Sequence, residues 1–293
     1  MSLQLDPLPL LSPALVRAST AAPARVRLGR TAPALLAYVF LPLAVFAALS
    51  FVSTGLALAL AAGLALGHTL DLLFGRFYSD SELRGPLHRC DGCRSPLRAA
   101  FAMPLVGFLW WRGRCPDCGS RLPLRALVLP AGACGLFGIS YVVFDQAGAA
   151  LLGGLFATVF LALTLTDLER RLLPNRIIYP AILLAAALSW GWPETPAVAV
   201  LLGGGVAVAL AGAILLFSLP FGPGAFGMGD VKMIVLIGFV VGFPAVVTGL
   251  LAGTIAAGVV AGFLLLTGLR GSRDYIPHGP FLALGAVIAL FLR

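Results

Sequence analysis

Four cysteines and two aspartates carry most of the chemistry this chain can offer. "CDGC" holds Cys90 and Cys93, and "CPDC" holds Cys115 and Cys118 after an interval of 21 residues. Each C-x2-C turn presents two thiolates to one metal ion, and two such turns complete a tetrahedral four-cysteine site of the zinc-ribbon kind. Gly92 and Gly119 permit the tight turns, and a region this small needs the folding free energy that a metal supplies. Four thiolates close the coordination sphere, so the expected Zn2+ is structural. The rival readings are two disulfides, which require an oxidising compartment, and redox chemistry through either pair. The fifth cysteine, Cys134, lies in an apolar run and reads as a small buried hydrophobe.

The acids are Asp167, in "LALTLTDLERRLLPN", and Asp230, in "FGMGDVKM". Only 12 acids exist in the chain, and these two stand where apolar runs meet polar loops. Each has a structural explanation: Asp167 can pair with Arg170 or Arg171, and Asp230 can cap a helix starting at Val231. Together they point to more. Two carboxylates at one depth can share a proton, since like charges a few ångströms apart do not both ionise. One then activates water as general base while the other protonates a peptide carbonyl or leaving nitrogen, which is the chemistry of an aspartic protease. Gly227 and Gly229 remove side chains beside Asp230 and so leave room for a peptide. Lys232 marks a membrane boundary or orients a substrate carbonyl; His68 reads as a helix residue and His278 as part of a proline turn.

The elements that must position these groups are membrane helices. The chain has 293 residues, 60% apolar and 11% charged, and a mean hydropathy of +1.01. That is too little polar material to cover a soluble protein of this size, so apolar side chains must face lipid. The apolar runs place spans at roughly 31–52, 55–75, 126–144, 148–166, 177–190, 197–218, 232–243, 245–267 and 277–292. The expected fold is an all-α polytopic membrane protein of about nine transmembrane helices with a small cytoplasmic zinc-ribbon-like insert. A net charge of +8 invites a nucleic-acid reading. Yet with a cytoplasmic N-terminus, every Lys and Arg except Arg293 falls in the tail or in cytoplasmic loops, so the positive-inside rule accounts for the excess. No nucleic acid is needed.

The chain then divides into a basic disordered tail (1–30), a transmembrane hairpin (31–75), a cytoplasmic metal-binding insert (76–125) and a membrane-embedded domain carrying both acids (126–293). Asp71 near the end of the hairpin is expected to reach water. Within the insert, "MPLVGFLWW" is too short to span and forms a small core or rests at the interface.

From about residue 64 to 292 the sequence resembles the type IV prepilin peptidases, membrane aspartyl proteases of the GxGD type. The resemblance rests on "CDGC", "WRGRCPDC", Asp167 followed by Leu173 and Pro174, "GMGDVKM" and "IPHGPFLALG". It implies that Asp167 and Asp230 form the catalytic pair and that Cys90, Cys93, Cys115 and Cys118 hold zinc. It further implies a bacterial cytoplasmic-membrane enzyme that removes the basic leader of a prepilin or pseudopilin just before its apolar helix. Many members also methylate the new N-terminus with S-adenosylmethionine. Departures are Asp71 where the family has Asn, "LPN" for "LPD", and no Glu in "LVLPAGA". Two other classes compete with this reading: a transporter or channel using intramembrane acids, and a membrane-anchored zinc-ribbon interaction module. The first predicts acids deeper in the spans, and the second leaves "GMGD" without a role.

Overall fold

The computed structural model describes residues 53–77, 90, 93, 105–192, 195–222, 227–269, 271 and 277–293, with isolated positions 40 and 43. The expected tail and most of the first span and of the insert lie outside the described residues.

Long uninterrupted apolar runs leave no water for the backbone, so each must satisfy its own peptide groups as helix. The described helices are α1 (Thr54–Phe77), α2 (Val106–Trp110), α3 (Arg125–Val143), α4 (Ala147–Arg170), α5 (Asn175–Ala187), α6 (Ala197–Ser218), α7 (Met228–Val241), α8 (Ala245–Leu266) and α9 (Gly279–Phe291). No strand forms among the described residues; Arg114 and Arg121 make an isolated antiparallel bridge. Five helices, α1, α3, α4, α6 and α8, are long and apolar enough to cross a membrane. At 1.5 Å per residue, α5 and α9, with 13 residues each, run only about 20 Å. Eight of the nine expected spans thus correspond to helices among the described residues, and the other, 31–52, lies mostly outside them.

The outer faces of α6 and α8 expose Leu201, Leu202, Val208, Leu251, Ile255, Val259 and Phe263, a surface suited to lipid rather than water. This is a multi-pass membrane protein. Inside, Phe156, Phe160 and Leu163 of α4, Leu236 and Ile237 of α7, and Leu282 and Leu290 of α9 are fully buried in one cluster. Lipid is as apolar as these side chains, so close packing rather than transfer from water must hold the helices together. Small residues permit it. A Cβ at Gly203 of α6 would fall 2.6 Å from the Gly238 carbonyl oxygen of α7, and one at Gly63 of α1 would fall 2.5 Å from the Ala133 carbonyl oxygen of α3.

The Arg125–Asp71 pair sets the start of α3 beside the end of α1, and the chain reverses between the later helices, so the end of α1, the start of α3, the end of α4 and the starts of α5, α7 and α9 gather at one end of the bundle. At the other end Arg293, the only basic residue expected there, stacks on Trp192 at 3.6 Å. It also donates to the carbonyls of Val240 and Val241 at 3.2 and 3.3 Å. Its charge meets the negative end of the α7 dipole. Within the insert, α2 exposes Leu109 and Trp110, as a short apolar turn at a membrane interface would.

Candidate active site

Asp167 lies in the last turn of α4, which ends where Arg171 takes the left-handed conformation (φ 55°) and returns its N–H to the Asp167 carbonyl at 2.8 Å. The Asp167 side chain is 5% exposed. It accepts a hydrogen bond from the Gly279 backbone N–H at the start of α9, where the helix dipole also favours a carboxylate. Its Oδ2 is buried and has no hydrogen-bond partner among the described residues.

Asp230 stands in the first turn of α7, half-buried. The helix begins at Met228, not at Val231, with Gly227 as its N-cap and no capping side-chain hydrogen bond. Asp230 is therefore inside the helix and is not its cap. Helix α9 packs against both α4 and α7, so it links the two helices that carry the acids. Asp230 feels the charge of Asp167, and the His278 imidazole acts on both carboxylates.

The glycines of "GMGD" make room for the chain's own side chains. A Cβ at Gly229 would lie 2.9 Å from Leu173 Cδ1, and one at Gly227 would lie 3.1 Å from Asp230 Oδ2. Gly227 is itself exposed. Lys232 donates to Asn175 Oδ1 at 2.7 Å and sits 5.1 Å from the centre of the Tyr179 ring, tying α7 to α5.

Sequence reasoning passed over three partners here. Gly279 cannot carry a side chain, since a Cβ would fall 2.6 Å from Asp167 Oδ2; the signal was its place in "IPHGPFLALG", with no reason visible. His278 was read as a turn residue. Glu169 was not singled out. Asp71, expected to reach water, is instead buried and paired with Arg125. The reason is that α3 packs on α1 and brings an arginine to it.

The four cysteines come together. Their sulfurs all lie within 4.8 Å of one another, with Cys90 to Cys118 at 3.5 Å and Cys93 to Cys115 at 3.9 Å. Four sulfurs about 2.3 Å from a tetrahedral ion stand about 3.8 Å apart, so the cluster has the size for one zinc-sized metal ion. Ser120 Oγ lies 3.0 Å from both Cys90 and Cys118 sulfurs, a second shell that orients ligands. Gly119, at φ 73°, makes the knuckle turn, closed by Gly119 N–H to Cys115 carbonyl at 2.9 Å. Burial pushes the Cys115 thiol up to about 11, whereas the Ser120 hydroxyl lowers Cys118. Without metal the Cys115 proton is held at neutral pH; a bound ion must expel it, so metal affinity rises with pH.

The fold and site define a helical multi-pass membrane protein with two acids at helix ends and a four-cysteine cluster. Residues 154–262 match the type IV leader peptidase family, and residues 61–144 match the bacterial Peptidase A24 N-terminal domain. The chain is 32% identical over 223 residues to the prepilin leader peptidase/N-methyltransferase of Aeromonas hydrophila, covering 71% of this chain and 72% of that one. It is 30% identical over 287 residues to the protein of the same name from Burkholderia pseudomallei (strain 1026b), covering 85% and 89%. It is 28% identical over 233 residues to that of Bacillus subtilis (strain 168), covering 74% and 90%. The chain belongs to the type IV leader peptidase family. No solved structure matches it.

Proposed function

We propose that this protein is a membrane aspartic endopeptidase that removes the basic leader of a type IV prepilin or pseudopilin, with Asp167 and Asp230 as its catalytic acids. The observation that supports the reading is that Asp167 and Asp230 lie within electrostatic reach of each other and of His278, the N-cap of α9. One carboxylate, ionised, takes a proton from water as the oxygen attacks the scissile carbonyl carbon. The other, protonated, gives its proton to the carbonyl oxygen. Collapse of the tetrahedral adduct then breaks the C–N bond, and the departing nitrogen takes the proton first drawn from water. The buried Oδ2 of Asp167, without a partner among the described residues, is available to a water or a substrate carbonyl. Gly227 is the exposed edge along which a peptide approaches, and Lys232 helps to hold α7 there.

The basic residues Arg76, Arg170, Arg171, Arg176 and Lys232 belong to the acid-bearing end, which supports a bacterial inner-membrane protein with that end, the N-terminus and the insert in the cytoplasm. A basic leader followed by an apolar helix then brings its scissile bond to the depth of the acids. Cys90, Cys93, Cys115 and Cys118 would hold Zn2+, which supplies folding free energy to residues 76–125 and takes no part in peptide cleavage. The relatives' names also carry an N-methyltransferase activity; the reading extends to methylation of the new N-terminus from S-adenosylmethionine, with no residue here assigned to it. The test is leader removal from a co-expressed prepilin: Asp167→Asn and Asp230→Asn should each lower it by at least ~10²-fold, the usual worth of a positioned acid or base.

A further inference from the structure

A second group of ionised side chains lies at the same end and has no part in the chemistry above. The Arg125 guanidinium, 10% exposed, joins three helices: Nε donates to Asp71 Oδ1 of α1 at 3.2 Å, and Nη1 donates to Glu169 Oε2 of α4 at 2.7 Å. Asp71 is 5% exposed and Glu169 28%. Such a buried group is weak evidence for stability, because desolvation offsets most of the attraction. Its placement suggests another use. Glu169 is two residues beyond Asp167 and one before the end of α4. A final helical turn frays unless something outside the helix ties it down.

We infer that Arg125 is a positioning residue for Asp167: it pins the last turn of α4 against α1 and α3, and so holds the Asp167 carboxyl against the start of α9. The inference rests on the peptidase reading above. The guanidinium suits the task because its rigid fork engages two carboxylates through different nitrogens; a lysine offers one point charge. A shift of about 1 Å in a reacting group costs on the order of 10²-fold in rate, so a loosened turn would show in turnover before it showed in binding.

The experiment compares kcat, KM and thermal unfolding of the full-length protein in detergent, with a prepilin as substrate, for three variants. Arg125→Lys keeps the charge and loses the fork; kcat should fall roughly tenfold or more with KM within about twofold. The triple variant Asp71→Asn, Arg125→Met, Glu169→Gln has no buried charge and should unfold at or above the parent's temperature, yet remain as slow as Arg125→Lys. Metal content should stay at the parent's level in both, which separates the effect from loss of the neighbouring insert. A triple variant that cleaves at the parent's kcat, or a loss confined to KM, overturns the inference. Asp167→Asn run alongside keeps the two readings apart: if it cleaves normally, the peptidase assignment fails, whereas if it is inactive and the triple variant is fast, only the positioning role fails.

Discussion

Asp167 and Glu169 stand two residues apart in one helical turn and live in opposite circumstances. At 100° per residue they point about 200° apart, Glu169 toward α1 and α3, Asp167 toward α9. Glu169 and Asp71 share one guanidinium, which offsets one of their two charges and gives each a donor. Asp167 receives one backbone N–H, has a buried oxygen without a partner among the described residues, and lies within electrostatic reach of a second acid. A carboxylate cluster with its own arginine is satisfied and has nothing left to offer a substrate. The other, left short of partners, is where proton transfer to an outside group becomes favourable. The contrast separates structural from chemical acids better than depth in the membrane does, since both clusters lie at one end.

Breaking each cluster in turn should therefore give different losses. The largest expected effect on folding is Arg125→Met alone, which strands Asp71 beside Glu169 in a buried place; it should cost about 3–5 kcal/mol, measured by thermal or denaturant unfolding in detergent. Asp167→Asn, isosteric and still able to accept the Gly279 N–H, should move unfolding by no more than about 1 kcal/mol. Next, Gly279→Ala puts a methyl where Asp167 Oδ2 now sits, 2.6 Å from the new carbon. Cleavage should fall by about tenfold or more through displacement of the acid, with a smaller change in unfolding than Arg125→Met produces. An initial-rate assay beside a melting curve decides it. The smallest effect belongs to Asp71→Asn. Arg125 keeps Glu169 at 2.7 Å, the amide still accepts from Nε, and stability should move by no more than about 1 kcal/mol. A large loss there would show that the two carboxylates are not interchangeable partners.

Much of this arrangement was legible in the sequence because its signals are local. The C-x2-C pairs are short turns whose spacing is read directly, and their sulfurs meet as expected. Apolar runs gave the eight helices α1 and α3 to α9 because a membrane leaves the backbone no other choice. What escaped depends on how helices rotate and pack. Residues 71, 125 and 169 are too far apart along the chain for any periodicity to link them, so Asp71 was expected in water and Glu169 passed unnoticed. Gly279 matters only because α9 begins against α4, a contact between distant segments. Asp230 was read as a possible cap because the start of a helix cannot be fixed to within a residue or two without its dihedral angles.

The central claim is that Asp167 and Asp230 act as one unit on a peptide bond. The most direct measurement is mass spectrometry of a co-expressed prepilin in cells carrying the parent, Asp167→Asn or Asp230→Asn, with each variant's membrane level and melting temperature matched to the parent's. The account predicts a trimmed N-terminus with the parent and full-length prepilin with either variant. A trimmed prepilin at the parent's level from either variant would contradict it.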